Sequence, residues 1–530
     1  MSHSGKTRLW TLSAFIMLVC ATGCAEFHQW LHNDFKVGPD YCKPVAPVAT
    51  DWIDFNDPAV ISDGLGIDET AWWRLLGDPM LEELVNRVYQ QNLSLRAAGM
   101  RVLEARAQRA IAAGNLLPQF QEGFGSYNRT QFSAAGNQFG IGALPIRTLD
   151  LWSTGFNVGW ELDVWGRFRR NLEAADAGVD ASIEDYDDIL LSLIAETATA
   201  YVELRGFEQR LRYAIANREL QQGSLKYSES NFKEGASSEL DVSQSRANLA
   251  RTEALIPVLR KGARLANNRL CLLLGEPIRD LRPELLEAAI PVPPKELVIG
   301  IPAELIRRRP DVRRSERLVA QQSAIIGVAT ADLFPAFSID GSINWQANDF
   351  GDMFSSAATA GFINPRFNWQ LLNYGRIRNN ILAQDAKFQE LAIQYQQTAL
   401  QANAEAEDAI TCFLNAVDRV RSLRDGVEAT QRSVEIIVFQ EQLGDIDVNR
   451  VYVLQRDLVE IQDDLAEAEA EAAICLITLY KALGGGWQIR LGQLPTADVV
   501  MQQPTAQEPV EPVEFVAPPT PEVQQEEAGL

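Results

Sequence analysis

The stretch Trp160-Glu161-Leu162-Asp163-Val164-Trp165-Gly166-Arg167-Phe168-Arg169-Arg170-Asn171 occurs a second time, as Trp369-Gln370-Leu371-Leu372-Asn373-Tyr374-Gly375-Arg376-Ile377-Arg378-Asn379-Asn380. The offset is 209, and continuing it to Ala174/Ala383, Asp176/Asp385 and Ala177/Ala386 brings nine identities into eighteen residues. Carried forward without a gap, the same offset places Gly235 on Gly444, Val242 on Val451, Leu249 on Leu458 and Leu274-Gly275 on Leu483-Gly484. Upstream, Leu117-Pro118-Gln119-Phe120 answers Phe334-Pro335-Ala336-Phe337 at an offset of 217, so the length difference between the copies falls between these two markers. One duplicated unit therefore accounts for most of the chain, and a repeat of this length governs every further reading of the fold.

Downstream of the repeated stretch both copies read as helix. No proline occurs between Pro145 and Pro257 or between Pro365 and Pro495. Leu190, Thr197, Leu204 and Leu211 recur every seven residues, as do Leu193, Ala200, Phe207 and Ala214, and in the second copy Phe413, Val420, Val427 and Val434. Sevenfold recurrence marks coiled-coil seams. Helices over Gly166–Glu234 and Arg376–Leu443 would each reach about 100 Å at 1.5 Å per residue, with Gly235 and Gly444 at the turns where partner helices return. The alternative is shorter helices broken at Gly178, Gly206 or Gly426, although an isolated glycine costs only about 1 kcal/mol in a helix.

Upstream the period changes to two. Trp152, Thr154, Phe156, Val158, Trp160 and Leu162 alternate with Ser153, Gly155, Asn157, Gly159, Glu161 and Asp163; Phe337 to Trp345 and Ile363 to Leu371 behave alike, and Leu117 to Thr130 more weakly. Ten-residue alternation with aromatics near the ends fits strands that meet lipid on one face and water on the other. Pro365 points to an edge strand, a bulge or a strand start. Soluble sandwich strands are the other reading, but they have no need to feed such long helices. Four strands are too few to close a transmembrane barrel, and hydrocarbon tolerates no open edge, so strands of other copies must complete it.

Composition narrows the function. The chain has 530 residues with a formal charge of −23, which disfavours nucleic acid as a partner. His3, His28 and His32 are its three histidines, so beyond residue 32 there is no imidazole for zinc binding or for serine or cysteine hydrolase chemistry, and no cofactor or metal site is expected. Cys42, Cys271, Cys412 and Cys475 are scattered without a paired spacing, which indicates neither a disulfide framework nor a metal knuckle.

Lys6 and Arg8 precede an uncharged run from Leu9 to Ala25, the pattern of a secretory signal. Ala21-Thr22-Gly23-Cys24 resembles a bacterial lipobox with Ala21 in place of the usual Leu, which makes Cys24 the expected acylated first residue; Cys20, after bulky Val19, is the poorer candidate. Ordinary cleavage nearby or a short uncleaved anchor are the alternatives. Cleavage before Cys24 leaves a balance of −25. At the other end, Met501 to Leu530 holds six Pro, six Glu and neither Lys nor Arg, a composition that cannot bury a core and is expected to be disordered.

These residues together resemble the outer-membrane efflux proteins, the TolC-like family, and within it the lipoprotein branch of multidrug and metal efflux channels. The resemblance runs from about Cys24 to Trp487 and is carried by Val37-Gly38-Pro39-Asp40-Tyr41, Trp72-Trp73 with Asp78-Pro79-Met80-Leu81, Trp160 to Gly166, and Arg308-Arg309-Pro310-Asp311-Val312; Cys42 departs from the pattern. It implies an α+β membrane protein: a homotrimer whose twelve-stranded outer-membrane barrel, four strands per chain, continues into a helical coiled-coil tunnel across the periplasm and meets a periplasmic adaptor and an inner-membrane pump.

The expected organisation is a lipoprotein signal over 1–23, a lipid-anchored segment over 24–71, a first repeat over 72–290, a second over 291–487 and a C-terminal segment over 488–530. The resemblance further implies a passive duct rather than an enzyme, exporting small molecules such as drugs or metal ions, with its gate at the periplasmic tip. Acidic residues line that tip in the family. Here the matching residues are Gly235 and Asp241 in the first copy and Gly444, Asp445, Asp447 and Arg450, with Asp457 nearby, in the second. Arg450 departs from the acidic pattern and suggests an ion pair with Asp241 of a neighbouring copy; solvated turn charges are the plain alternative. Arg309-Pro310-Asp311 reads as a helix start, with proline in the first turn and the carboxylate at the positive end. Competing functions are a duct for type I protein secretion and, from another class, a lipid-anchored coiled-coil scaffold, which would leave the alternating strands without a purpose.

Overall fold

The computed structural model describes residues 30–492 apart from 50, 55–56, 58–59, 62–68, 132–147, 286, 295–296, 299–306 and 443–447. Two compact units are distinguished, Met1–Trp487 and Gln488–Leu530; of the second, residues 488–492 are described, with one helical turn over Ile489–Gly492. Cys20, Cys24, Gly444, Asp445, Asp447 and the acidic tail from Met501 lie outside the described residues.

The main elements of the first unit are α1 (Pro79–Gln91), α2 (Leu93–Gly114), β1 (Phe120–Gln131), β2 (Thr148–Leu162), α3 (Arg167–Lys233), α4 (Glu239–Leu274), α5 (Pro310–Ala331), β3 (Ala336–Ala347), β4 (Thr359–Asn368), α6 (Arg376–Gln442) and α7 (Val448–Ala482). Helix, two strands, a 67-residue helix and a return helix thus occur twice in the same order. Both long helices run unbroken through Gly178, Gly206 and Gly426.

The four strands form one antiparallel sheet in the order β1-β2-β3-β4, with Phe156 opposite both Gly123 and Ile343, and Ile343 opposite Gly361. Pro365 sits within β4, an edge of the chain's own sheet, which is where a residue without an N–H is tolerated.

The helices form a row, α4 beside α3, α3 beside α7, and α7 beside α6, while α5 lies across α3 and α6. Heptad positions expected at the seam are buried: Leu190, Thr197, Leu204 and Ala200 on α3, Phe413 and Val434 on α6. Each buried Leu or Phe contributes about 1.5–3 kcal/mol relative to an exposed one. Midway along the row Trp72 is fully buried, stacked on Tyr480 at 5.9 Å and donating its indole N–H to the Gly485 carbonyl at 3.1 Å. Asp78 caps α1, accepting from the Met80 N–H at 2.9 Å and from the Tyr201 hydroxyl at 2.5 Å, so the Trp72 to Leu81 motif ties the start of the first repeat to the middle of α3. Pro310 occupies the first turn of α5 as expected, and buried Arg309 reaches Asp311, Glu405 and the Ala482 carbonyl.

The cysteine expectation is corrected. Cys412 on α6 and Cys475 on α7 form a disulfide, 63 residues apart in sequence with Cα atoms 5.7 Å apart. Spacing rules look for cysteines close in sequence, whereas these two meet because an antiparallel hairpin places opposite each other residues equally far from its turn.

Candidate functional site

The register of the sheet separates its faces. Phe156, Val158 and Trp160 of β2 share one face with Ile339, Ile343 and Trp345 of β3 and with Ile363 and Phe367 of β4, and Phe156 is 62% exposed and Ile363 81%. Aromatics bound this face at both ends: Tyr127, Trp152 and Trp345 at one, Trp160, Phe337 and Phe367 at the other. Trp152 and Trp160 are eight residues apart on β2, about 27 Å along a strand, the scale of an outer-membrane apolar band between aromatic girdles. The opposite face carries Glu122, Asn157, Ser338, Asp340, Asn344, Asn364 and Arg366, with Arg366 paired to Asp340 at 2.9 Å. Such a sheet can stand between lipid and water.

The repeated stretch is the joint between sheet and tube. Trp160 donates its indole N–H to the Leu116 carbonyl and Trp369 donates to the Leu333 carbonyl, at 3.3 and 3.0 Å, so each copy fastens the end of a strand to the end of the preceding helix in the same way. Gly166 and Gly375 then turn the chain at φ of 79° and 84°, a left-handed region that a side chain would strain. Asp163 caps α3 by accepting from the Phe168 and Arg169 N–H groups, both at 3.0 Å.

Residues 30–48 form a strap over this joint that period and repeat do not reveal. The indole of Trp30 donates to the Val164 carbonyl, Arg169 donates to the carbonyls of Asp34 and Phe35, and buried Arg170 donates to Val37 and Gly38 carbonyls and pairs with Asp40 at 2.9 Å. Farther along, Tyr41, Ala46 and Val48 pack on Val312, Val319, Tyr395 and Ala399, while Lys43, Tyr41 and Arg317 all donate to the Glu316 carboxylate. Burial alone would raise the Glu316 pKa, but Lys43 and Arg317 hold it below the ordinary carboxylate range; Glu173, held by Lys36 and Arg170, is lowered for the same reason. Burial and the Asp78 hydrogen bond push the Tyr201 hydroxyl up. Val37-Gly38-Pro39-Asp40-Tyr41 was the available signal, since a glycine beside a proline in an extended segment marks a constrained crossing.

At the far end of the helices Gly235 has a φ of 74°, as a tight turn demands. Asp241 is not a free carboxylate: it accepts from the Ser238 N–H at 2.9 Å and hydroxyl at 2.8 Å while its own N–H bonds the Ser238 oxygen, a capping box at the start of α4. Arg450, in the first turn of α7, is exposed and makes no ion pair with Asp241 of its own chain. Above these residues a polar seam joins α3 to α7. The Ser228 and Tyr452 hydroxyls lie 2.5 Å apart, Gln455 donates to Ser224 at 2.8 Å, Asn217 donates to Gln462 at 2.8 Å, and Arg210 grips Asp463. The repeat through Leu193, Ala200, Phe207 and Ala214 continues to Gln221 and Ser228, so the change from apolar to polar residues along that stripe was the signal for part of this seam; Asn217 and Ser224, also buried, fall one residue before the other repeat.

A four-stranded sheet girdled for a membrane and fused to helices of about 100 Å defines the subunit of an outer-membrane channel with a periplasmic duct. Comparison makes the class specific. The chain belongs to the outer membrane efflux protein family, whose pattern matches residues 84–276 and 301–485. It is 29% identical over 431 residues to the pyoverdine export outer membrane protein OpmQ of Pseudomonas putida, covering 81% of this chain and 90% of that one. It is 26% identical over 488 residues to the cation efflux system protein CusC of Escherichia coli O6:H1, covering 90% and 99%. The solved outer-membrane channel OprN superposes with a TM-score of 0.79 at 32% identity, over 85% of this chain and 99% of that one.

Proposed function

We propose that the chain is the outer-membrane duct of a tripartite exporter, assembled as a trimer and conducting small molecules passively through a water-filled bore, with energy supplied by an inner-membrane pump reached through a periplasmic adaptor. One observation carries this reading: the protomer is open on both flanks at both levels. Among the described residues the sheet ends in β1 and β4, with no further strand paired to either, and the row of hairpin helices ends in α4 and α6. The unpaired strand edges must be closed in hydrocarbon, and α4 presents Val258, Leu265 and Leu272, exposed and seven residues apart, for a partner helix. Three copies give twelve strands, enough for a barrel with an aqueous lumen. The duct does no covalent chemistry.

Small cargo fits the names of the similar proteins, which refer to pyoverdine export and to cation efflux. Cys24 serves as the lipid anchor in this reading, and the gate lies at the turns around Gly235 and Gly444, with Arg450 of one copy facing Asp241 or the acidic residues Asp445 and Asp447 of another. The decisive experiment is purification from outer membranes followed by mass measurement and planar-bilayer recording: a heat-stable trimer with discrete conductances is expected, and a non-conducting monomer overturns the proposal. Deletion is expected to sensitise cells to drugs or metal ions without loss of a secreted polypeptide. Arg450→Ala is expected to raise conductance; an unchanged trace removes Arg450 from the gate. Cys24→Ala is expected to abolish labelling by a palmitate analogue.

A further inference from the structure

We infer that the lipid-facing side of the sheet holds a seat for one acyl chain of an outer-leaflet lipid, a diagonal trench across β3 and β4 floored by Gly341 and Gly361. The inference rests on the sheet standing in the outer membrane and is independent of conduction.

The trench follows from the register. On the face that carries Phe156 and Val158, Ile343 of β3 stands opposite Gly361 of β4, and Gly341 of β3 stands opposite Ile363 of β4. Isoleucine and glycine thus alternate in both directions, and the diagonal of the two glycines runs low between the two isoleucines. Phe156, opposite Ile343, and Val158, opposite Gly341, continue the walls onto β2. The cleft so enclosed measures about 690 Å³, within the roughly 300–1,000 Å³ of sites that hold small ligands. Its walls carry no charged side chain, so the shape suits hydrocarbon and offers nothing to a polar group.

The protein's own packing does not call for glycine at 341. An added Cβ there would come no closer than 3.6 Å to its nearest atom, the Phe362 carbonyl oxygen, which is an ordinary contact. A side chain would fit, in a strand interior where glycine weakens the strand. Glycine at such a place marks a close approach by something else, and what meets this face is lipid. Gly361 has a second reason, since its Cβ would lie 2.9 Å from the Ser342 carbonyl oxygen, so Gly341 carries the argument.

Position selects the leaflet. β2 and β4 enter the long helices at one end of the sheet, and the trench lies towards the other, with Trp345 closing it one residue pair beyond Ile343. Farther out, Trp152 meets Phe350 at 5.0 Å, and Phe354, 72% exposed, lies 6.0 Å from Phe350. Aromatic rings in such belts sit at headgroup level, so a chain that enters beneath them belongs to the outer leaflet. From Trp345 to Gly341 the trench descends about 13 Å, about half of an apolar band of ~25 Å. The rival occupant is the protein's own lipid at Cys24, but Trp30, six residues on, is fastened to Val164 at the helix end of β2, away from the trench.

Mass measurement under non-denaturing conditions, on full-length protein taken from outer membranes in a mild detergent, tests this. The wild type is expected to retain one non-covalent lipid per chain and, once delipidated, to rebind lipid A up to that ratio. Gly341→Leu, which fills the trench, is expected to lower the retained lipid several-fold. Gly125→Leu puts the same side chain on the same face two strands away and is expected to leave it unchanged. Gly341→Ala is expected to fall between, and serves if the leucine variant does not assemble. A wild type without bound lipid, full retention in both Gly341 variants, or rebinding of phosphatidylethanolamine in place of lipid A overturns the inference. Loss of the lipid in Cys24→Ala also overturns it, by making the protein's own anchor the occupant. Because lipid is weighed without conduction, a protein that holds it but forms no pore overturns the duct reading and leaves the seat standing.

Discussion

Arg210 on α3 holds Asp463 on α7 through both carboxylate oxygens, Nε to Oδ1 and Nη2 to Oδ2, each at 2.7 Å, with Glu467 3.3 Å from the third nitrogen. The pair bridges the two halves of the duplication where the seam turns from apolar to polar, and both side chains are largely shielded from water. A planar fork on a carboxylate is stronger than a point contact, and hydrogen bonds to charged partners contribute about 1.5–3 kcal/mol.

Arg210→Ala is therefore expected to cost about 2 kcal/mol and Arg210→Lys to recover only part of it, because an ammonium cannot span both oxygens. A double-mutant cycle with Asp463→Ala, read from thermal unfolding of the assembled protein, should show coupling of more than about 1 kcal/mol. The hydrogen bonds to Asp463 raise the Arg210 pKa. A raised basic group gives its stabilisation fully below its unfolded pKa, so the Arg210 side of the pair is constant from pH 5 to 9.

The strap responds to acid. Glu316 and Glu173 both have lowered pKa values in the fold, with Lys43 and Arg317 on the first and Lys36 and Arg170 on the second. A carboxylate lowered by folding stabilises above its unfolded value, near 4.5, and that stabilisation is lost as pH falls through the folded value. Protease cleavage within residues 30–48 should rise as pH is taken from 6 towards 3. In Glu173→Gln/Glu316→Gln cleavage should already be high at pH 6 and change little on acidification. A wild-type strap that stays protected at pH 3 would show that its apolar contacts with Val312, Val319 and Tyr395 suffice.

Gly38 crosses Gly327 of α5 so closely that a Cβ on Gly38 would lie 2.4 Å from the Gly327 Cα, and Gly38 has a φ of 85°. Gly38→Ala meets rigid backbone in a left-handed conformation, and is expected to cost about 1–3 kcal/mol and to free the strap. At Gly327 the nearest atoms belong to the Arg170 side chain, at 2.9 Å, so an added methyl meets a side chain, which yields by loosening its bonds to Val37, Gly38 and Asp40, rather than backbone in a left-handed conformation. Gly327→Ala should therefore be milder, and comparing thermal midpoints of the two variants checks the order.

The parts of the fold legible in the sequence are those fixed by local period. The long helices begin and end within a residue or two of the positions given by Gly166, Gly235, Arg376 and Leu443, because no other residue in those spans stops a helix. The strands were legible because lipid and water impose opposite demands on alternate residues. The strap and the cystine were not, since both join residues far apart in sequence. Cys412 and Cys475 are nevertheless nearly equidistant from Gly444, and a hairpin read about that turn would have paired them. At the tip, the Ser238-x-x-Asp241 spacing is a capping pattern, and the structure adds a helix-start role to Asp241 that the duplication does not display.

Tyr452 closes the seam nearest the tip. Its hydroxyl lies 2.5 Å from the Ser228 hydroxyl in a buried site, and its carbonyl accepts from the Asn248 side chain at 3.1 Å. Tyr452→Phe removes the hydroxyl and keeps the ring and the carbonyl. Ser228 retains its bond to the Ser224 carbonyl at 3.1 Å, so no buried donor is stranded and the loss should be about 1 kcal/mol. Replacing Ser228 with Val instead removes the bond between the two hydroxyls and sets an apolar group against the Tyr452 hydroxyl, and should cost about 1–3 kcal/mol. If the seam helps to hold the tip closed, both variants should lengthen open times in planar bilayers in that order, Ser228→Val above Tyr452→Phe. Longer open times without that order would mean that packing of the ring, rather than the hydroxyl pair, keeps α3 against α7.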